Sequence, residues 1–171
     1  MKHITIIAGA RPNFMKVAPI INEIIKQKKS GFDINYSLVH TGQHYDKKMS
    51  GNFFKQLNIP LPTFNLNAGG GTQAQQTSAI MLGFEEYLSE NNTDLVLVVG
   101  DVTSTMACAI TAQKMNIKVV HIEAGLRSFN MKMPEEINRI LTDRISDLLS
   151  CPTETALDNL KKEGYDNLQI L

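Results

Sequence analysis

The chain has 171 residues, 43% apolar and 20% charged, and its 17 basic and 17 acidic side chains give a formal net charge of zero. That length suits one domain with a sizeable core, and the balanced charge argues against nucleic acid as a partner. No apolar run is long enough for a transmembrane helix. The two cysteines lack metal-ligand spacing and make no disulfide framework, so we expect a cytoplasmic protein with no membrane partner.

Apolar runs alternate with helical patterns from the start of the chain. Residues 3–8 predict a strand that Gly9 ends, and Pro12 can open the next helix at its first position. Pro19 lies inside that helical stretch, where a proline costs roughly 3 kcal/mol. We therefore expect a kink near Ala18, or a helix that begins there.

The same criteria predict the later elements. Further strands are predicted over residues 34–40, 63–67, 94–100 and 117–123. Further helices are predicted over residues 45–57, 73–91, 103–115, 134–149 and 153–163. The helix that Pro134 starts carries one apolar stripe, formed by Ile137, Ile140, Leu141, Ile145 and Leu148. Strands that alternate with helices predict an α/β fold, a doubly wound parallel sheet.

The final segment, YDNLQIL, has the pattern of the first residues of a further strand. We therefore expect this chain to be one half of a larger protein.

Ligands of open parallel sheets bind beyond the carboxyl ends of the strands. The first strand is followed by GARPNFMK, in which Arg11 and Lys16 bring two cations to a helix start. Helix amino-termini favour anions, so these cations can bind a diphosphate, although both can also be simply exposed. In TGQHYD, His44 can contact a polar ligand or be exposed, and the glycines of residues 68–72 can approach a ligand or form a flexible loop.

The fourth strand is followed by GDVTST, in which Asp101 is the acidic residue. Asp101 can cap the next helix by accepting hydrogen bonds from the Thr103 or Ser104 amide. The same carboxylate is well placed for proton transfer, and the two roles are compatible.

Three further acids follow the next strand. Glu123 ends that strand and can form a structural pair with Arg127, whereas His121 within it is interpreted as a core residue. Glu135 and Glu136 occupy the first turn of a helix, where the macrodipole alone favours acids. Carboxylates gathered at one sheet edge also push their pKa values apart, which provides an acid and a base.

Taken together, these segments resemble one family, the non-hydrolysing UDP-N-acetylglucosamine 2-epimerases. The matching segments are GARPNFMKVAPI, HTGQHYD, GDVTST, HIEAGLRS, MPEEINRILTD and CPTETALDNL, in the family's order and spacing. The resemblance implies that residues 1–171 form a Rossmann-like amino-terminal domain. This domain would be one half of a GT-B-like two-domain architecture whose carboxyl-terminal domain is absent from this chain.

The resemblance implies inversion at C2 of a UDP-2-acetamido sugar, such as UDP-GlcNAc to UDP-ManNAc, in polysaccharide precursor synthesis. The family eliminates UDP to form a 2-acetamidoglucal and then adds UDP back. By motif match the catalytic residues are Asp101, Glu123 and Glu135. The substrate-binding residues are Arg11, Lys16, His44 and Arg127. No metal or cofactor is expected, since the leaving group does the electronic work, and the full-length protein is expected to be a homodimer.

Several residues depart from the family pattern. Val102 stands where the family commonly has threonine, and the segment after the Q-H motif lacks the arginine of an allosteric site. The GGGT and RSFNM variants resemble the branch that acts on modified sugars such as UDP-2,3-diacetamido glucuronic acid. The alternatives are therefore an epimerase of such a sugar, a stand-alone nucleotide-sugar binding module or, more weakly, a glycosyltransferase-like fragment. The isolated chain is expected to be inactive, because the family's catalytic histidine lies in the second domain.

Overall fold

The computed structural model describes residues 1–42 and 51–171. The strands in these residues are β1 (Lys2–Ala8), β2 (Ile34–His40), β3 (Phe64–Asn65), β4 (Leu95–Val99), β5 (Lys118–Ile122) and β6 (Leu148–Ser150). The helices are α1 (Arg11–Lys29), α2 (Gly51–Gln56), α3 (Gln73–Glu90), α4 (Thr103–Lys114), α5 (Pro134–Ile145) and α6 (Glu154–Lys162). All neighbouring strands pair in parallel, in the order β3-β2-β1-β4-β5-β6. The predicted doubly wound parallel sheet is confirmed.

Helices cover both faces of this sheet. Alternate strand residues point to opposite faces, so Ile6 and Leu97 pack with α1 and α2, whereas Ile7 and Val98 pack with α3 and α4. From the centre of the sheet, the chain adds β2 and β3 on the side of β1, and β5 and β6 on the side of β4. The strand order therefore changes direction between β1 and β4, and ligands of such folds bind at that point.

Helix α1 starts at Arg11 and continues through Pro19 to Lys29. Its first turn is fixed by Asn13, whose side-chain oxygen accepts a hydrogen bond from the Ala10 amide at 2.8 Å. The alternative in which the helix begins near the internal proline is therefore wrong.

The helix predicted over residues 134–149 is shorter than expected. Helix α5 ends at Ile145, and the chain then enters β6. Between them the Asp147 carboxylate accepts a hydrogen bond from the Val119 amide at 2.8 Å, which ties this segment to β5. Beyond β6, Ile170 forms an isolated parallel bridge with Leu149, as the strand-like pattern of the final segment predicts.

Helix α5 buries a polar face. An apolar stripe normally faces the core, yet Ile137 and Leu141 are 40% and 42% exposed. The buried residues of α5 are Glu136, Asn138, Thr142 and Asp143. Its inward side thus supplies hydrogen bonds to the loops at the sheet edge.

The helix predicted over residues 45–57 includes α2. His44, predicted to bind substrate, lies outside the described residues. Within the described part of the chain, no helix is long and apolar enough to cross a membrane.

Candidate active site

Three of the predicted site residues meet at the carboxyl edge of the sheet. Asp101 follows β4, Glu123 follows the neighbouring strand β5, and Lys16 lies in α1, which follows β1. Because β1, β4 and β5 are adjacent, the fold places all three at the point where the strand order reverses.

Glu123 pairs with Lys16. The Lys16 Nζ lies 2.5 Å from Glu123 Oε2, and the two side chains are 38% and 24% exposed. A Cβ placed on Gly100 would lie 3.5 Å from the same oxygen and 3.8 Å from the ammonium, so the pair lies directly over the residue before Asp101. The alternative pairing of Glu123 with Arg127 is wrong.

Asp101 contacts α5. Its carboxylate pairs with Arg139, and its backbone carbonyl accepts a hydrogen bond from Asn138 Nδ2 at 2.8 Å. The N-cap of α4 is Val102, whose side chain makes no capping bond, so the cap predicted for Asp101 does not form in the described structure. The carboxylate is instead held half-exposed beside a guanidinium.

Glu136 supports this guanidinium from the buried side. Its carboxylate accepts hydrogen bonds from the Ser128 amide at 2.9 Å, the Phe129 amide at 2.8 Å and Arg139 Nη1 at 2.8 Å. Burial alone would raise the pKa of Glu136, but the two amides and the Arg139 charge outweigh it, so the pKa lies below its ordinary value. Arg139 therefore bridges a buried acid and the half-exposed Asp101.

The other predicted residues lie around this cluster or away from it. Glu135 is exposed in the first turn of α5. Arg11 is exposed at the start of α1, with its guanidinium carbon 4.8 Å from the centroid of the Phe53 ring.

Arg127 lies in a buried ion network, and its side chain is only 1% exposed. Its guanidinium donates hydrogen bonds to Asp143 and Glu163, each at 2.7 Å. Burial would lower the pKa of Arg127, but these hydrogen bonds and charges raise it overall. The structure does not bring this side chain to the open edge with the other predicted residues.

His121 is a core residue, as predicted. Its side chain is fully buried, with Nε2 at 2.8 Å from the Gly100 carbonyl oxygen and Nδ1 at 2.6 Å from Asp143 Oδ1.

The sequence interpretation missed the roles of Asn138 and Arg139. A signal was available, because Arg139 lies three and four residues after Glu136 and Glu135, the spacing of side-chain pairs on a helix. The apolar stripe of α5 obscures this signal, because such a stripe normally marks the buried face of a helix.

This arrangement suits proton transfer beside an anionic leaving group. Two carboxylates on adjacent strand ends can exchange protons with a ligand, and nearby cations can stabilise developing negative charge. No group of three or more His, Cys, Asp or Glu side chains that could hold a metal occurs among residues 1–42 and 51–171.

The fold and the cluster define the class of Rossmann-like α/β domains that bind ligands at the carboxyl edge of the sheet. The family model described as "UDP-N-acetylglucosamine 2-epimerase" matches residues 26–171. The chain belongs to the UDP-N-acetylglucosamine 2-epimerase family, as the motifs predicted.

Individual relatives agree with this assignment. The chain is 51% identical over 167 residues to a "UDP-N-acetylglucosamine 2-epimerase homolog" of Methanococcus maripaludis, covering 98% of this chain and 45% of that protein. It is 50% identical over 166 residues to the "UDP-2,3-diacetamido-2,3-dideoxy-D-glucuronate 2-epimerase" of Pseudomonas aeruginosa, covering 97% and 46%.

A solved relative has the same fold. The Methanocaldococcus jannaschii UDP-GlcNAc 2-epimerase, in complex with UDP-GlcNAc and UDP, superposes with a TM-score of 0.92 at 44% identity. The match covers 99% of this chain and 45% of that one. This chain therefore spans slightly less than half the length of the relatives it matches.

Proposed function

We propose that this chain forms the amino-terminal domain of a UDP-N-acetylglucosamine 2-epimerase that converts UDP-GlcNAc to UDP-ManNAc for polysaccharide precursor synthesis. The observation that carries the proposal is that Asp101 and Glu123, on neighbouring strand ends, are each paired with a cation. The ligands of the solved M. jannaschii relative, UDP-GlcNAc and UDP, support the substrate class.

In the proposed reaction, a carboxylate removes the C2 proton while the bond from C1 to the UDP oxygen breaks. The electron pair of the C2–H bond forms the C1=C2 double bond, giving a 2-acetamidoglucal and UDP. UDP then adds back to C1 as a proton is returned to the opposite face of C2. Asp101, Glu123 and Glu135 supply the proton-transfer groups, and Arg11 and Lys16 stabilise the diphosphate.

The test is proton exchange at C2 of UDP-GlcNAc in D₂O, measured by NMR with the protein as encoded in its natural reading frame. The wild type is expected to incorporate deuterium, and Asp101→Asn to lose about 100-fold or more of that rate because a proton-transfer group is removed. Asp158→Asn, an exposed change on α6, is the matched control and should retain the wild-type rate. An Asp101→Asn protein that exchanges as fast as Asp158→Asn would remove Asp101 from the mechanism.

A second substrate is favoured by the 50% identity to the P. aeruginosa enzyme. In this alternative the same chemistry acts on UDP-2,3-diacetamido-2,3-dideoxy-D-glucuronate. Deuterium exchange with that sugar, and none with UDP-GlcNAc, would decide for it. Binding of both sugars without exchange of either would decide for a binding module.

We also propose that a second domain completes the site, because the Asp101 and Glu123 side chains stay 34% and 24% exposed and the relatives are about twice as long. The 171 residues alone are then expected to bind weakly and not to turn over. A measurable epimerisation rate from the isolated chain would contradict this proposal.

We propose two further properties. The free thiols of Cys108 and Cys151 fit a reducing cytoplasm. The exposed apolar side chains of Ile137 and Leu141 fit contact with a second copy, in a homodimer of the full-length protein.

A further inference from the structure

A buried network of charges lies directly behind the two proposed catalytic carboxylates. It runs from His121 to Asp143, then to Arg127, and ends at Glu163 near the end of α6. The side chains of His121 and Asp143 are fully buried, and that of Arg127 is 1% exposed. Burying three ionisable groups is costly unless each is paired, and their hydrogen bonds lead to the two loops that carry the acids.

The first of these loops is held by His121. The Gly100 carbonyl can only accept a hydrogen bond, so His121 Nε2, at 2.8 Å from it, must carry a proton and donate it. The Gly100 amide donates in turn to the Ile122 carbonyl at 3.0 Å. Gly100 has a φ of +72°, in the left-handed region. Gly100, the residue before Asp101, is therefore held at both of its backbone polar groups in a conformation that few other residues adopt.

The second loop is held by Asp143. Its Oδ2 accepts a hydrogen bond from the Gly125 amide at 3.1 Å, and the Gly125 carbonyl accepts one from Asn159 Nδ2 at 3.0 Å. A Cβ on Gly125 would lie 2.3 Å from the Ala156 carbonyl oxygen, so the loop is fitted closely against α6. This segment begins two residues after Glu123.

We propose that His121 and Asp143 are positioning residues for the Asp101 and Glu123 carboxylates: His121 holds the residue before Asp101 through the Gly100 carbonyl, and Asp143 holds the loop after Glu123 through the Gly125 amide. The catalytic consequence rests on the proposed function. One hydrogen bond joins His121 Nδ1 to Asp143 Oδ1. His121 also bonds Gly100 at the end of β4, and Asp143 also bonds Gly125 in the loop after β5.

Two variants of His121, made in the full-length protein, separate its two hydrogen bonds. Asparagine places an amide nitrogen near the position of Nδ1, and glutamine places one near Nε2. His121→Asn keeps a donor toward Asp143 but releases the Gly100 carbonyl. We expect it to lower kcat by about 100-fold with KM within about threefold, because a small displacement of a catalytic group has that effect. His121→Gln keeps a donor toward Gly100, and its kcat is expected to stay within about tenfold of the wild type.

A conservative variant of Asp143 provides the rescue test. Asp143→Asn can donate to a neutral His121 Nδ1 and still accept from Gly125 and Arg127. Its kcat is expected to stay within about threefold of the wild type, since positioning needs the hydrogen bonds and not the charge. Equal loss of kcat in folded His121→Asn and His121→Gln proteins would overturn the proposal, as would a 100-fold loss in folded Asp143→Asn.

Hydrogen exchange of the backbone provides a readout that does not depend on activity. Amides of the peptide covering residues 98–105 should exchange about tenfold faster in His121→Asn than in His121→Gln, the effect of one lost hydrogen bond. If the wild type exchanges C2 protons of neither sugar, the proposed function fails, but this comparison still decides the positioning role. Equal protection of the two variants would refute it.

Discussion

Glu123 has a backbone φ of +71°, in the left-handed region that a residue with a Cβ seldom adopts. The conformation costs about 1–2 kcal/mol for such a residue, and strain of this kind persists where the surroundings fix it. Here the neighbouring loop is held by Asp143, and the carboxylate is held by Lys16. The strained backbone directs this carboxylate over the end of β4.

Glycine at position 123 should give a more stable domain than alanine, and both changes should abolish the proposed activity. Glu123→Gly relieves the strain, whereas Glu123→Ala loses the same pair with Lys16 but keeps the strained φ. We expect the glycine variant to unfold with a free energy about 1 kcal/mol higher than the alanine variant. Urea denaturation of the two proteins measures the difference, and an alanine variant at least as stable would show that the conformation is not strained.

Glu136 gives a pH-dependent contribution to stability. Its pKa in the folded protein lies below the ordinary value of 4.5, so its contribution is complete above pH 4.5 and is lost as the pH falls through the lower folded-state value. Glu136→Gln should reduce the free energy of unfolding by about 1–2 kcal/mol at neutral pH, and this difference should shrink below pH 4.5.

Chemical denaturation across the acidic range measures this effect. Glu135→Gln is the matched control, because Glu135 is adjacent but exposed. Its stability should follow the wild type at every pH while its C2 exchange is lost. A Glu136→Gln protein whose stability parallels that of the control would contradict the assignment.

At the residue scale, motifs predicted Asp101, Glu123 and Lys16 as site residues. They did not predict that Lys16 pairs with Glu123, or that Arg139 pairs with Asp101. Asp101 and Glu123 could be found because each follows a buried strand. Arg139 and Lys16 reach those acids across 38 and 107 residues of sequence. Such pairings depend on how the helices pack against the sheet, which local patterns do not determine.

At the scale of elements, the turn between β1 and α1 lies against the first turn of α4. A Cβ on Gly9 would lie 2.1 Å from Ser104 Oγ. Gly9→Ala should therefore force the two elements apart and reduce the free energy of unfolding by about 1–3 kcal/mol. Gly83→Ala in α3 is the matched control, since its Cβ would make an ordinary contact of 3.6 Å with Leu66.

The control variant should raise stability by about 0.5–1 kcal/mol, because alanine is a better helix residue than glycine. Thermal unfolding of both variants measures these two changes in stability. A Gly9→Ala protein as stable as the control would mean that the turn has room to move.

Element boundaries were predictable where period and end signals agreed. The strand over residues 34–40 and the helices after Thr72 and Thr153 lie where expected, and both threonines accept a hydrogen bond from the third residue beyond them. The end of α5 was not predictable from the sequence, because the apolar pattern continues past Ile145 into β6. What ends the helix is the contact of Asp147 with β5, a tertiary interaction.

At the scale of the whole molecule, the exposed side of α5 tests the proposed homodimer. Ile137→Lys combined with Leu141→Lys should raise the dimer dissociation constant at least about tenfold, because desolvated apolar anchors dominate such interfaces. Leu168→Lys, at a side chain that is 85% exposed elsewhere, is the control. Sedimentation of the full-length protein measures both, and equal dissociation constants for the double variant and the control would remove this face from the interface.

The two faces of α5 also differ in how freely they can change during evolution. Positions 136, 138, 139 and 143 hydrogen-bond the loops and acids of the proposed site, so a substitution there that removes those bonds disturbs its geometry. Positions 137 and 141 contribute little to the interior, and their substitution leaves the site intact. Under the proposed homodimer, substitutions on the exposed side of α5 would change contacts between subunits and leave the acids of the proposed site in place.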